Sequence, residues 1–218
     1  MACAICDLRK EKRFCPAVHG RICPQCCGEQ REVTLDCPSE CPYLQQARQH
    51  EKPRSMDELD REALFPRVEI GEQFLYDNEH LILGLSFALA KSARANHGLA
   101  DRDLIAALSS QAKSYETLVN SSLIYEQATA NVAHQAIAAE VATMIKEYRE
   151  AEEKHRGHSR LRDSDILKAL VFLLRMGMGR TSGRPKSRAF VDFLFAQFPE
   201  KQSAIASPEE AGSRIIVP

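Results

Sequence analysis

Residues 3–41 read CAICDLRKEKRFCPAVHGRICPQCCGEQREVTLDCPSEC and contain all eight cysteines of the chain. The eight positions are Cys3, Cys6, Cys15, Cys23, Cys26, Cys27, Cys37 and Cys41. Proline directly follows four of them, which restricts the backbone and stiffens the turns. This pattern indicates a local module whose metal ligands come from short, stiff loops.

Two cysteine pairs have the spacing of a four-cysteine zinc site. Cys3, Cys6, Cys23 and Cys26 form the pattern C-x2-C-x16-C-x2-C. Zinc prefers four tetrahedral ligands, and two residues between paired cysteines let one tight turn direct both sulfurs at one ion. The long loop between the pairs costs little, because closure entropy grows slowly with length. The spacing therefore predicts one zinc ion on these four thiolates.

The four other cysteines predict a second zinc site, interleaved with the first. They are Cys15, Cys27, Cys37 and Cys41. Adjacent Cys26 and Cys27 would then face different ions, because neighbouring side chains of an extended chain point apart. Two alternatives stay open: Cys27 replaces Cys26 in the first site, or His19 joins a ligand set. An iron–sulfur cluster is less favoured, because the tight C-x2-C-x2-C run is absent. Redox chemistry is also less favoured, because a C-x-x-C redox motif usually accompanies a βαβ pattern.

With these spacings, residues 3–41 resemble the two-zinc, cross-braced fingers of the RING, MYND, HIT and B-box types. The Cys26-Cys27 doublet, the x16 gap and the lack of a clear histidine ligand depart from those patterns. The resemblance implies a zinc-dependent protein-interaction module, and it does not extend to ubiquitin-ligase activity. It assigns no family to the rest of the chain.

Composition and hydropathy indicate a cytoplasmic protein. The residues MACAICDLRKEKR at the start lack the apolar core of a signal peptide, and the longest apolar run, 81–90, is about half a membrane span. A reducing compartment favours metal-bound thiols over disulfides. Since the module has few apolar residues, we expect metal binding to supply its folding free energy, on the order of 10 kcal/mol per site.

The sequence after the cysteines predicts helices. Residues 43–50 predict two helical turns, and Ser55 and Glu58 predict a capping box for a short helix ending near Leu64. Apolar residues at three- and four-residue steps then predict five further helices. The first covers 72–96, the second runs from 101 to a break at 120–122, and the third covers 124–148. The fourth runs from Asp163 or Ser164 to Met176, and the fifth covers 187–198. Asp101 is the predicted cap of the second of these.

These patterns predict a mainly α chain: a small Cys-rich zinc-finger module followed by an α-helical bundle. We expect the module at 1–42, a connecting segment at 43–70, the bundle at 71–198 and a flexible tail at 199–218.

Charge is balanced overall and uneven locally. The formal net charge is −1, yet residues 154–188 carry ten basic and two acidic side chains. Four of these basic residues lie in or beside a glycine-containing stretch and are candidate nucleic-acid contacts: Arg180, Arg184, Lys186 and Arg188. Gly183-Arg184-Pro185 is similar to the core of the minor-groove AT-hook. The alternative is an exposed basic face that pairs with acidic helices of this chain or of a second copy.

Enzymatic motifs are not evident. The sequence has no phosphate-binding glycine loop with its lysine and no nucleophile elbow. We therefore expect a non-enzymatic zinc-finger protein that acts as an interaction or scaffold module. Its partner would be another protein or a second copy, with nucleic acid as an alternative and no membrane. The two other functions kept open are a nucleic-acid-binding regulator and a thiol-based redox or metal sensor.

Overall fold

The computed structural model describes residues 1–51, 59–121 and 131–199. As predicted, these residues are mainly α-helical, and a cysteine-rich module precedes the helices. The one sheet within the described residues is a two-stranded antiparallel hairpin in the module. None of the described helices combines the length and hydropathy that a bilayer span requires.

The module is built from a hairpin and one short helix. Strand β1 (Arg13–Cys15) pairs with β2 (Gly20–Ile22) so that Cys15 lies opposite Gly20. His19 makes the turn in the left-handed region, with φ 47°. Helix α1 (Pro24–Gln30) follows directly, and proline suits its first position because the missing N–H would have no partner there.

Helix α2 (Pro42–His50) confirms the two helical turns predicted over 43–50. The predicted capping box of Ser55 and Glu58 lies outside the described residues. In place of the short α-helix expected to end near Leu64, the structure has one 3-10 turn at Glu62–Leu64. Arg175 fixes this turn to the bundle: its guanidinium donates to the carbonyls of Leu64 at 2.9 Å and of Phe65 at 2.8 Å.

In the described part of the chain, six helices form the bundle. They are α3 (Glu72–Asp77), α4 (Glu79–Ala95), α5 (Asp101–Ser121), α6 (Val132–Arg156), α7 (Asp163–Arg180) and α8 (Ala189–Gln197). The single helix predicted over 72–96 is two helices, because the chain leaves helical geometry at Asn78, whose side chain donates to the Phe74 carbonyl at 3.0 Å. Residues 124 and 128, which we placed in the next helix, lie outside the described part.

The N-cap of α7 lies one residue before the first of the predicted caps. It is Arg162, and the Asp165 carboxylate accepts from its backbone N–H. The predicted caps, Asp163 and Ser164, instead lie inside the first turn. There the Asp163 carboxylate forms an ion pair with Arg149 of α6, with 2.6 Å between Oδ1 and Nη2.

The end of α7 was also predicted wrongly. We placed it at Met176 because glycines follow, but the helix continues to Arg180. A Cβ on Gly177 would lie 3.0 Å from the ring of Phe190, so glycine here allows α8 to pack closely against α7. The final helix is α8, within the predicted 187–198.

The core lies where α4, α5, α6, α7 and α8 meet. Helix α7 contributes nine buried residues, more than any of the other helices. The largest fully buried side chains of the bundle are Leu81, Leu85, Leu89, Leu104, Leu108, Ile137, Ile166, Leu170, Leu173 and Phe190. These leucine-rich faces explain why periodicity alone predicted the fold class.

Asp101 caps a helix other than the one we expected. It begins α5 but is fully buried, and its Oδ1 accepts the backbone N–H groups of Phe190 at 3.0 Å and Val191 at 3.1 Å in the first turn of α8. Its Oδ2 accepts from the Ser187 hydroxyl at 2.7 Å. A buried carboxylate is tolerated here because several donors surround it.

We predict that Asp101→Ala lowers the free energy of unfolding by about 2–3 kcal/mol, because hydrogen bonds to a charged group are lost and buried donors stay unpaired. Chemical denaturation followed by circular dichroism measures this. Asp77→Ala is the control, because Asp77 is exposed and bonds only Gln73 at 2.8 Å. Equal stability of the two variants would contradict the capping role.

Candidate metal centre

Four cysteine sulfurs of the module meet at one point. The Sγ atoms of Cys3, Cys6, Cys23 and Cys26 all lie within 4.8 Å of one another. Cys3, Cys23 and Cys26 are buried, and Cys6 is partly exposed. This confirms the first predicted ligand set as a group that could bind a metal ion.

Two local structures bring these sulfurs together. The first is a turn after Cys3, closed by the Asp7 N–H donating to the Cys3 carbonyl at 2.9 Å. The second is the junction of β2 and α1, where Cys23 is the N-cap and Cys26 lies in the first helical turn. The Ala4 N–H donates to the Arg21 carbonyl at 3.0 Å, which holds the first structure against the second.

Backbone N–H groups point at two of the sulfurs. The Cys23 N–H donates to Cys3 Sγ at 3.2 Å, and the Cys26 N–H donates to Cys23 Sγ at 3.4 Å. At the exposed edge, Arg9 Nη1 lies 3.9 Å from Cys6 Sγ. Such donors stabilise the thiolate form, which is the form that binds metal.

Three of these thiols, those of Cys3, Cys23 and Cys26, have strongly unequal pKa values. Burial opposes ionisation of Cys3, but backbone N–H donors, led by that of Cys23, outweigh it and lower its pKa to about 6. The Cys26 N–H likewise lowers the pKa of Cys23. Burial, and then interaction with the neighbouring cysteine sulfurs, raise the pKa of Cys26 to about 12. The group therefore favours anionic sulfur but keeps a proton that a cation would displace.

The donor set fits a zinc ion. A tetrahedron of Zn–S bonds of about 2.3 Å has edges of about 3.8 Å, so the sulfur separations need to shorten by no more than about 1 Å. Four thiolates around zinc form a closed structural site. When bound, the ion would supply the charge that holds these thiolates together.

The predicted second set is not gathered in the same way. Within the described residues, no other three His, Cys, Asp or Glu side chains bring their ligand atoms within this distance. Cys15, Cys27 and Cys41 are nevertheless buried, while Cys37 is partly exposed. Burial first, and then the charges of Cys15 and Cys41, raise the pKa of Cys37, so these thiols are close enough to interact. A second metal site remains a prediction.

The two open alternatives for the first site are not what the structure shows. Cys26, and not Cys27, belongs to the four-sulfur group. Cys27 Sγ instead accepts from Arg13 Nη1 at 3.5 Å, and that guanidinium lies 4.6 Å from the centre of the Tyr43 ring. His19 is exposed at the tip of the hairpin and is not part of the group.

The basic residues singled out from the sequence contact other parts of the chain. Arg184 donates to the Gly28 and Arg31 carbonyls of the module, and Lys186 forms an ion pair with Asp36 at 2.8 Å. Arg180 lies over the Phe193 ring at 3.6 Å, and Arg188 donates to the His97 carbonyl. The structure does not test nucleic-acid binding, which remains a prediction.

Sequence reasoning missed Glu32. Its side chain is 1% exposed, and it binds Arg48 of α2 at 2.9 Å and the Ser182 hydroxyl at 3.1 Å. No signal in the sequence identifies it, because a glutamate in a cysteine-rich loop is usually exposed and its partners lie 16 and 150 residues away. Its backbone φ of 55° shows that a specific turn places it there.

Comparisons with protein-family models, curated proteins and solved structures find no match to this chain. The assignment of the site therefore depends on the geometry and chemistry of the thiols.

We predict that zinc binding releases protons and that zinc affinity rises with pH. At pH 7 the Cys3 thiol, with a pKa of about 6, is largely ionised, whereas the Cys26 thiol, with a pKa of about 12, still carries its proton and must lose it to the ion. Titration calorimetry in buffers of different ionisation enthalpy measures this release. His19→Ala should leave it unchanged, and a binding heat independent of buffer would contradict the prediction.

Proposed function

We propose that this chain is a non-enzymatic zinc-finger protein whose module presents a rigid surface to another protein or to a second copy. The helical bundle serves as the scaffold that carries the module. The observation that supports this best is the convergence of four cysteine sulfurs in a module with little apolar core. A metal ion is the natural means of holding such a module in one conformation.

Two zinc ions per chain are part of the proposal. The second ion would bind Cys15, Cys27, Cys37 and Cys41. Burial of three of these thiols supports it, since Cys15 and Cys27 lie in the same small core as the first ligand set and Cys37 packs against that core. The charge interactions of Cys37 with Cys15 and Cys41 support the same grouping.

A structural role for the metal follows from the ligands. Catalytic zinc sites usually keep one position for water and include histidine or carboxylate ligands. Four thiolates leave no such position. A reducing, cytoplasmic setting suits these ligands as well, because it keeps thiols free to bind metal.

The module also has exposed apolar side chains that suit protein contact. Leu8 is 86% exposed and Phe14 is 55% exposed, and Val18 lies between the two strands of the hairpin. A structural metal makes such a surface rigid, which lowers the entropy lost on binding. Aromatic side chains such as that of Phe14 are enriched at protein interfaces.

Metal content tests the zinc proposal. Protein purified without added chelator should hold two zinc ions per chain by inductively coupled plasma mass spectrometry. Cys6→Ser and Cys37→Ser should each hold one, because each substitution removes one ligand of one site and an incomplete site binds far more weakly. His19→Ala is the matched control and should keep both. Wild-type content in Cys37→Ser would contradict the second site.

Loss of association tests the interaction surface. Phe14→Ser should weaken self-association, measured by analytical ultracentrifugation, or capture of a host protein, measured by affinity purification. Tyr76→Ser is the control, since Tyr76 is 80% exposed but lies on α3 of the bundle. If the two variants behave alike while both keep their zinc, the module is not the interface.

A further inference from the structure

Within the described residues, the module and the bundle meet at an extended polar contact. On the module, the contact is made by residues 28–36, which we call the docking segment; this segment follows the two adjacent cysteines of α1. On the bundle, it is made by residues 181–188, which we call the bundle loop and which join α7 to α8. The contact places cations of the bundle directly beside the helix that carries metal ligands.

Arg184 caps the end of α1 from the bundle. Its Nη1 donates to the carbonyls of Gly28 at 3.2 Å and Arg31 at 2.7 Å. The last carbonyls of a helix lack partners within the helix and carry partial negative charge, so a guanidinium there stabilises the helix. Because α1 contains Cys26 and Cys27, this stabilisation acts on the element that positions metal ligands.

Lys186 binds the rest of the docking segment. Its backbone N–H donates to the Glu32 carbonyl at 2.8 Å. Its Nζ contacts the Thr34 carbonyl at 2.8 Å and the Asp36 carboxylate at 2.8 Å. These bonds require the docking segment to hold one conformation, because the acceptors of Glu32, Thr34 and Asp36 must all face Lys186.

A partly buried network, centred on buried Glu32, reinforces the contact. Glu32 lies between Arg48 and the Ser182 hydroxyl, and Arg48 also bonds Asp192 of α8 at 2.6 Å. Asp192 accepts from Ser39 of the module at 2.6 Å. Breaking one partner of a buried charge pair is costly, so this network resists partial separation.

The bundle loop is also tied to the core of the bundle. The Ser187 hydroxyl donates to buried Asp101 at 2.7 Å, and the Asp101 N–H donates to the Ser187 carbonyl at 2.8 Å. The same Asp101 caps the first turn of α8. A change in the docking segment therefore reaches the start of α8 through one continuous set of hydrogen bonds.

We propose that metal binding by the module and docking of the bundle loop are thermodynamically coupled, so that the loop and the start of α8 respond to the metal state of the module. The inference rests on the proposed zinc binding. Without metal, α1 loses the ligand bonds that fix it, the docking segment that follows α1 loses its anchor, and Arg184 and Lys186 lose their ordered acceptors. Such coupling is reciprocal: whatever strengthens docking strengthens metal binding by the same factor.

Zinc affinity of loop variants tests one direction. In the full chain, Arg184→Ala should weaken zinc binding in competition with a chromophoric chelator by at least about fivefold, the lower end of usual coupling. Arg180→Ala is the matched control, because it removes the same charge four residues away, where the guanidinium contacts only Phe193 of the bundle. If Arg184→Ala misfolds, Asp192→Asn is the replacement, because it removes the carboxylate that binds Ser39 of the module and Arg48. Affinities equal to that of the wild type would overturn the proposal.

Hydrogen exchange of the wild type tests the other direction. Removing zinc with a chelator should speed exchange in peptides covering 181–187, which include the Lys186 amide bonded to Glu32. Peptides from the centres of α5 and α7 should keep their protection. Unchanged exchange in the bundle loop would overturn the proposal, and so would loss of protection throughout α5 and α7, because metal would then control the whole fold.

The proposed zinc binding and the proposed coupling can fail separately. If the wild type binds no zinc in the same competition assay, the proposed function is wrong. If the wild type binds zinc and its affinity does not depend on Arg184 or Asp192, only the coupling is wrong.

Discussion

Convergence of cysteine sulfurs on one point is the constraint on which the N-terminal module depends. Five of the seven buried residues in its core are cysteines, and only Ile22 and Leu35 are ordinary hydrophobic residues. So small an apolar core cannot offset the entropy of ordering about forty residues. Ligand bonds to a cation would supply that free energy and make one arrangement of the hairpin and α1 strongly preferred. Other features of the module, including its exposed apolar side chains, then become a fixed surface.

The basic side chains show how the module becomes part of a larger structure. From sequence, the excess of Arg and Lys over 154–188 indicated a possible anionic partner. In the structure several of these cations bind within the chain: Arg162 pairs with Asp165, Arg175 holds the turn at residues 62–64, and Arg184 caps α1. All three bind carbonyls or carboxylates of this chain, and Arg175 and Arg184 do so where elements meet, which a count of charges does not reveal.

The fold class and the first ligand set were predictable because both depend on short-range spacing. Two residues between Cys23 and Cys26 suit one ion, and leucines at three- and four-residue steps suit helices. Long-range partners were not predictable. Asp101 looked like the cap of its own helix, but tertiary packing brought α8 to it. Gly177 looked like a helix end, but it is the point of closest approach to Phe190. Such choices depend on contacts that local propensity does not encode.

The most direct test of the central claim is X-ray absorption at the zinc edge of natively purified protein. This measurement reads the identity and distance of the atoms bound to the metal. The account predicts four sulfur neighbours per zinc at about 2.3 Å, with no shell of nitrogen or oxygen. A first shell that contains nitrogen or oxygen, or a module that stays folded with no metal at all, would contradict it.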